Sequence, residues 1–231
     1  MKIDLFGDGI GSVRLVHHVG TDKTVANSAR VSFGQDNDRE LTKRDKKLIK
    51  YLISHKHTST LEHNLVTFMF EVPLFIRSQH MRHRTWSYNE VSRRYTDVDL
   101  KFYVPQGFRT QHESNRQASK DELIDPIIDP DLRDFSASKL VKEHHRSSLK
   151  LFDRMIAGGI CREQARGVLP QNLYTRYYGS VNLNNLLKFI DLRLHEGAQW
   201  EIQQVAKACL EIATDLWPYT VGAYREIRGE V

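Results

Sequence analysis

The chain has 231 residues, of which 40% are hydrophobic and 27% are charged, so it can bury a core as one large domain or two small ones. A net charge of +5 and a pI of about 9.1 are a mild excess, which favours a small anionic ligand over a long nucleic acid. Two cysteines, Cys161 and Cys209, are too few for a disulfide framework, and we expect both to be buried free thiols in a reducing cytoplasm. We expect neither a signal peptide nor a membrane span, because no run of about 20 apolar residues occurs.

The first half of the chain mixes strand and helix patterns. Strands are predicted by short apolar, β-rich runs, at 2–6, 12–19, 65–72 and 99–105. Helices are predicted by apolar stripes and capping residues, at 21–33, 41–57 and 73–84. Thr21 caps the first helix, Thr42 and Asp45 form a capping box for the second, and Pro73 is predicted as the first residue of the third.

The second half is predicted to be largely helical. Residues 106–135 are mostly polar and predict a long insertion or mobile loop. The helices that follow are predicted at 138–159, 161–169, 182–197 and 198–217. Because strands and helices do not alternate regularly, the sequence favours the α+β class, with mixed helices and an antiparallel sheet in a single domain.

A basic stretch stands out at residues 82–95, RHRTWSYNEVSRRY, which hold four arginines and one histidine but only one carboxylate, Glu90. An arginine fork can bind a phosphate or a ring carbonyl through two hydrogen bonds. The stretch therefore predicts a surface for an anionic ligand. One alternative is an exposed basic surface with local salt bridges; another is a nucleic-acid-binding module that stacks bases on Trp86, Tyr88 and Tyr95.

The predicted helix over 73–84 sets the directions of several polar side chains. On a helix, Gln79, Arg82 and His83 share one face, whereas Arg82 and Arg84 point about 200° apart. A ligand held by both arginines must therefore wrap around the helix end. A second phosphate cradle is predicted ten residues further on, at Ser92, Arg93 and Arg94.

A histidine-rich segment, HKHTSTLEH, occupies residues 55–63. Its histidines suggest a zinc site and a metal-dependent hydrolase, but their spacing is poor and no third ligand is evident. The alternative is polar: Ser59 and Glu62 would form hydrogen bonds to a ligand, and the His57 ring would stack on it. We favour the polar interpretation and expect no metal.

Two arginines of the second half, Arg166 and Arg193, lie in apolar surroundings, where an unpaired charge is costly. Asp191 could pair with Arg193, which would make that arginine structural. Alternatively, Arg193 is a buried cation that stabilises an anion formed during a reaction. Asn182 is predicted to cap the helix that carries Arg193, and a phosphate could bind at that helix N-terminus.

Together these segments resemble the flavin-dependent thymidylate synthases, whose signature is Arg-His-Arg, seven residues, then Ser. Here it reads Arg82-His83-Arg84, TWSYNEV, Ser92. Further similar segments are ARVSF (29–33), HKHTSTLEH (55–63), ARGVLPQNLYTR (165–176) and DLRLHEGAQWEIQ (191–203). The resemblance implies an α+β homotetramer with active sites shared between subunits. It also implies methylation of dUMP to dTMP with methylenetetrahydrofolate as carbon donor and FAD reduced by NADPH, without a cysteine nucleophile.

The resemblance also assigns residues. Those implied to contact dUMP are Gln79, Arg82, Glu90, Ser92, Arg93, Arg94, Arg166 and Arg193. Those implied to contact FAD are Ser59, Glu62, Arg82, His83, Arg84, Glu90, Asn182, Asn184 and Lys188. Two are implied to act in catalysis: Arg193 would favour ionisation of the uracil N3, and His57 would lie near the flavin ring.

The chain departs from the family pattern at three positions. Family members often have arginine where this chain has Asn184, and we expect Lys188, one helical turn later, to supply that charge. They often have histidine where this chain has Gly197, so one flavin contact is expected to be missing. Arg93 often is a smaller residue in the family, which implies a role for its backbone amide rather than its side chain.

Overall fold

The computed structural model describes residues 1–34, 40–129, 131 and 135–229. Its main sheet is antiparallel and has five strands, which in spatial order are Lys2–Asp4 (β1), Ser12–Val19 (β2), Leu65–Pro73 (β3), Tyr174–Asn182 (β7) and Ser87–Glu90 (β4). A separate antiparallel hairpin consists of Phe108–Gln111 (β5) and Ser119–Ile124 (β6). The predicted α+β class with antiparallel strands is confirmed.

Helices pack on the main sheet and around its ends. Within the described residues they are Asp22–Arg30 (α1), Lys43–Ser54 (α2), Leu74–His80 (α3), Ala137–Ala157 (α4), Arg162–Ala165 (α5), Leu183–Leu194 (α6), Trp200–Leu216 (α7) and Pro218–Arg228 (α8). No helix in this part of the chain is long and apolar enough to cross a membrane.

The core lies between the sheet and the pair α6 and α7. On β3, Phe68 and Phe70 are fully buried, because alternate side chains of a strand point to the same face. Helices α6 and α7 contact each other and the sheet, and the predicted apolar stripe of α7 is buried at Ile202, Val205, Cys209 and Ile212. Burying a large apolar side chain contributes roughly 1.5–3 kcal/mol, so this layer holds α6 and its polar residues in place.

Local capping chemistry fixes where three helices begin. Thr21 and Thr42 cap α1 and α2 as predicted. Both form a capping box, which was predicted only for Thr42. The Asn182 side chain accepts a hydrogen bond from the Asn185 N–H at 2.9 Å and so caps α6. A side chain that satisfies a free N–H of the first helical turn stabilises the helix end by about 1 kcal/mol.

The region around α3 differs from its prediction. Pro73 is the last residue of β3 and the N-cap of α3, not its first residue. The helix ends at His80, so Arg82, His83 and Arg84 lie beyond it. The Tyr88 hydroxyl donates to the carbonyls of His80 and His83. These two carbonyls thus bond to a side chain of β4 and not to N–H groups of a longer helix. Arg82 and His83 therefore do not share a helix face, and that prediction is wrong.

Three other predictions are corrected. Residues 99–105 do not form a strand, since only Phe102 bridges to Leu173 and Asp99 has a positive φ of 63°. Strand β7 lies in the half predicted to be helical, although its β-branched and aromatic run is typical of a strand. Cys161 is exposed at the start of α5, whereas Cys209 is buried.

In the predicted insertion at 106–135, residues 108–124 hold the β5–β6 hairpin, and residues 130 and 132–134 lie outside the described residues.

Candidate functional site

Arg193 is the centre of the first polar cluster. Its Nε donates to His83 Nε2 at 3.0 Å, and its Nη2 donates to the main-chain carbonyl oxygen of Gln79 at 3.1 Å. Asp191 instead contacts Arg228 and the Tyr224 hydroxyl, since residues two apart on a helix do not face each other. The structure thus brings together three residues that the sequence analysis selected, and it gives Arg193 neutral partners.

The charge state of this cluster follows from its burial. Burial, together with the nearby Arg193 guanidinium, lowers the pKa of His83 to about 4, so the ring is neutral at physiological pH. Because Nε2 accepts from Arg193, the remaining proton lies on Nδ1. Arg193 is partly buried, and this burial lowers its pKa, but an arginine stays protonated in proteins. The cluster is therefore a fixed cation supported by neutral acceptors.

Aromatic rings hold the turn between α3 and β4 that carries His83. His80 is fully buried and its Nδ1 lies 2.8 Å from the Tyr177 hydroxyl. Trp86 packs edge-on against His80 at 4.5 Å between ring centroids, and Phe189 packs edge-on against His83 at 4.9 Å. Trp86 is only 6% exposed, which removes one of the rings that a nucleic-acid-binding module would use for stacking.

A second cluster lines a cavity of 290 Å³ on the other side of α3. Glu90 accepts from Arg77 Nε at 2.9 Å and from the Thr175 hydroxyl at 2.7 Å. Arg93 and Arg166 line the same cavity. Arg77 was missed as a site residue, although it lies only five residues before the basic stretch. It lies two residues before Gln79, and such residues point about 200° apart on a helix.

The side chains of the second predicted phosphate cradle point in different directions. Arg93 donates to the carbonyls of Val98 at 2.8 Å and Tyr174 at 3.4 Å. Its side chain therefore ties backbone segments together, in keeping with a role for its backbone amide in the site. The Ser92 hydroxyl accepts from the Arg94 N–H at 3.3 Å, and the Arg94 guanidinium lies 3.4 Å from Glu163.

A third cluster surrounds a cavity of 270 Å³ between α2, α6 and α8. His57 and Lys188 line it together with Arg228 of α8. Asn184 also lines it and donates to Glu62 Oε1 at 2.8 Å. The wall formed by α8 was not predicted, because nothing in the local sequence indicates where the last helix packs.

The histidines of residues 55–63 do not converge on one point. His55 stacks on Tyr51 with ring centroids 4.0 Å apart, and the centroids of His55 and His57 are 6.4 Å apart. In the described part of the chain, no group of three or more His, Cys, Asp or Glu side chains is placed to hold a metal ion. Ser59, Arg82 and Arg84 lie outside the buried core.

Comparison with known proteins gives the family. The model of the thymidylate synthase complementing protein family matches residues 14–219. The chain is 36% identical over 220 residues to a flavin-dependent thymidylate synthase of Pseudothermotoga lettingae, covering 95% of this chain and 92% of the relative. It is 38% identical over 216 residues to that of Thermus thermophilus, covering 94% of this chain and 76% of the relative.

The chain belongs to the flavin-dependent thymidylate synthase family. A solved structure that is similar to it is the UMP/dUMP methylase PolB from Streptomyces cacaoi, bound with 5-Br dUMP. The TM-score is 0.82 at 32% identity, and the match covers 97% of each chain.

For a member of the flavin-dependent thymidylate synthase family, the 270 Å³ cavity of the third cluster suits a flavin. Its walls are largely apolar, with Leu52, Ile53 and Leu61 on one side and Ile227 on another. Such walls favour a planar ring system. The cations at its edge suit the phosphates of a dinucleotide, so the residues present fit the group that the family name requires.

Proposed function

We propose that the protein methylates dUMP to dTMP, with methylenetetrahydrofolate as carbon donor and NADPH as reductant. One observation carries the proposal: Arg193 is held by His83 and Gln79 and is left without a carboxylate among the partners described above. The similar methylase structure was solved with 5-Br dUMP, which supports a uridine nucleotide as the substrate class.

Arg193 would act on the pyrimidine. A fixed cation close to the uracil N3 favours loss of the N3 proton, because it stabilises the anion that forms. The negative charge spreads over N3 and the two ring carbonyls, which then withdraw fewer electrons from the rest of the ring, so C5 becomes a better carbon nucleophile. His83 supports this role because it stays neutral and accepts from Nε, so the guanidinium keeps its direction and its full charge.

The nucleotide would bind between subunits of a homotetramer. The Arg193 cluster and the cavity lined by Glu90, Arg93 and Arg166 are two separate clusters of one chain. We propose that one subunit supplies Gln79, Arg82 and Arg193. A neighbouring subunit supplies the other residues proposed to contact dUMP, which are Glu90, Ser92, Arg93, Arg94 and Arg166; the serine and the arginines among them suit the phosphate.

FAD would bind at the 270 Å³ cavity of the third cluster, completed by side chains of a neighbouring subunit. The residues proposed to hold it, from the two subunits together, are Ser59, Glu62, Arg82, His83, Arg84, Glu90, Asn182, Asn184 and Lys188, with His57 near the ring. Bound FAD, once reduced by NADPH, supplies the hydride that completes the methyl group. Lys188 lines the cavity one turn after Asn184, which supports the proposal that it supplies the charge that Asn184 lacks.

Neither cysteine suits the role of a pyrimidine nucleophile. Cys209 is fully buried in the core, and burial raises the pKa of its thiol, which disfavours the reactive thiolate. Cys161 is exposed at the start of α5 and lines neither of the two cavities described above. We therefore propose that C5 is activated by Arg193 and not by attack of an enzyme thiol.

The absorption spectrum of the purified protein tests this function first. We expect a flavin band that bleaches when NADPH is added without oxygen. Addition of dUMP and methylenetetrahydrofolate should then restore the oxidised band and yield dTMP. Salt-sensitive binding of oligonucleotides without a flavin band would favour a nucleic-acid-binding module, whereas stoichiometric zinc and inhibition by a chelator would favour a hydrolase.

A further inference from the structure

A chain of hydrogen bonds connects the start of α7 to Gln79. The Gln199 side chain donates from Nε2 to Glu201 Oε2 at 2.9 Å, and its Oε1 accepts from Gln79 Nε2. The other oxygen of Glu201 accepts from the Tyr103 hydroxyl at 3.3 Å. The carboxylate is therefore anchored on one side by Tyr103 and engages Gln199 on the other.

The order of donors and acceptors in this chain is forced by chemistry. An ionised carboxylate can only accept hydrogen bonds, so Gln199 must turn its NH₂ group towards Glu201. The Gln199 carbonyl oxygen then faces Gln79, which must in turn present its own NH₂ group. The carboxylate thus sets the orientation of both amides.

We propose that Glu201 is a positioning residue that fixes the side-chain amide of Gln79 through Gln199. This inference rests on the proposed function, in which Gln79 contacts dUMP. With one N–H of its NH₂ group held by Gln199, Gln79 has a fixed orientation in which it presents its Oε1 as an acceptor beside the remaining N–H. That oxygen pairs with a donor on the nucleoside, such as a sugar hydroxyl or the ring N3–H, and not with the phosphate, which offers only acceptors at neutral pH.

A purely structural role for Glu201 has to be separated from this one. A carboxylate in the first turn of a helix is stabilised by the helix dipole, and Glu201 lies in the first turn of α7. The dipole effect acts on stability, whereas the relay acts on nucleotide affinity. The Coulomb effect on affinity also has the opposite sign, since removal of a negative charge near a bound anion should tighten binding.

Binding of dUMP to the flavin-loaded protein, measured by calorimetry, tests the relay. We expect Glu201→Gln to weaken dUMP binding about three- to tenfold, the range that one hydrogen bond contributes. Its flavin affinity and melting temperature should stay near those of the wild type. The matched control is Glu196→Gln, because Glu196 is an exposed carboxylate close in sequence and should leave dUMP affinity unchanged.

A second variant and a double mutant make the test specific. Gln199→Met should reproduce the loss, because it breaks the relay at its middle. In a Gln79→Ala background, Glu201→Gln should change dUMP affinity less than about twofold, since the residue on which the relay acts is gone.

Each outcome separates the relay from the proposed function. If the wild type binds dUMP and Glu201→Gln binds it equally or more tightly, the relay is wrong and the proposed function stands. If the wild type does not bind dUMP, the proposed function fails. The relay is then decided by a crystal structure of Glu201→Gln, in which the contact between Gln79 and Gln199 should be lost, and an unchanged contact would overturn it.

Discussion

The hydrogen bond from Arg193 to His83 should make the stability of the protein depend on pH in a way that His83→Gln removes. Glutamine offers a carbonyl oxygen close to the position of the imidazole Nε2 but does not titrate. In the wild type, protonation of His83 removes the acceptor and places a second positive charge beside Arg193. The folded state therefore resists protonation of this ring more than the unfolded state does.

The magnitude follows from the pKa. In the unfolded chain a histidine has a pKa of about 6.5, and in the folded protein that of His83 falls to about 4. The stability contribution is thus complete above pH 6.5 and is lost as the pH falls towards 4. If this whole pKa difference acted on stability, the free energy of unfolding would fall by about 3 kcal/mol at a pH well below 4. Water reaches part of the ring, so we expect about 1–2 kcal/mol after screening.

Urea unfolding of the wild type and of His83→Gln at about pH 7, pH 5.5 and pH 4.5 measures this contribution. All other titrating groups are shared, so their effects cancel in the difference between the two proteins. We expect the wild type to lose about 1–2 kcal/mol relative to the variant over this range. A difference that stays constant within about 0.5 kcal/mol would refute the reasoning.

Three further predictions concern the cavity, the chemistry and the core. Arg193→Ala should keep bleaching of the flavin by NADPH but lower dTMP formation about 100-fold or more, as followed by stopped-flow absorbance and product chromatography; an equal loss in both half-reactions would contradict its role. Lys188→Ala should weaken flavin binding about three- to tenfold in a fluorescence titration, whereas Lys207→Ala, on the exposed face of α7, should not, and equal effects would reject the charge replacement. Phe189→Ala should lower the unfolding free energy by about 3–5 kcal/mol, because the ring is fully buried against His83; a loss below about 1 kcal/mol would show that this packing does not hold the turn.

The parts of the fold that depend on neighbouring residues were predictable from the sequence. The caps at Thr21, Thr42 and Asn182 follow from side chains that reach the next helical turn, and the β-rich run at 65–72 predicts a strand. The end of α3 was not predictable in this way. It depends on Tyr88, a residue from the next strand that bonds to the carbonyls of His80 and His83.

In the candidate site, too, some residues could be predicted from the sequence and others depend on contacts with distant residues. The sequence was sufficient to select Gln79, His83 and Arg193, and the structure brings them into contact, although not through the predicted helix face, because α3 ends at His80. The partner of Asp191 could not be read from the sequence, because Arg228 lies 37 positions away on the last helix. Arg77 was overlooked for a related reason: its importance depends on the pairing with Glu90 across α3 and β4.

The central claim is that guanidinium groups, and no thiol, make the uracil ring reactive. The most direct measurement is the yield of dTMP in a single turnover of the reduced enzyme after both cysteines are replaced, by Cys161→Ser and Cys209→Ala. The account predicts the wild-type yield for this protein and almost none for Arg193→Ala. It would be contradicted if the cysteine-free protein folded and bound flavin but formed no dTMP.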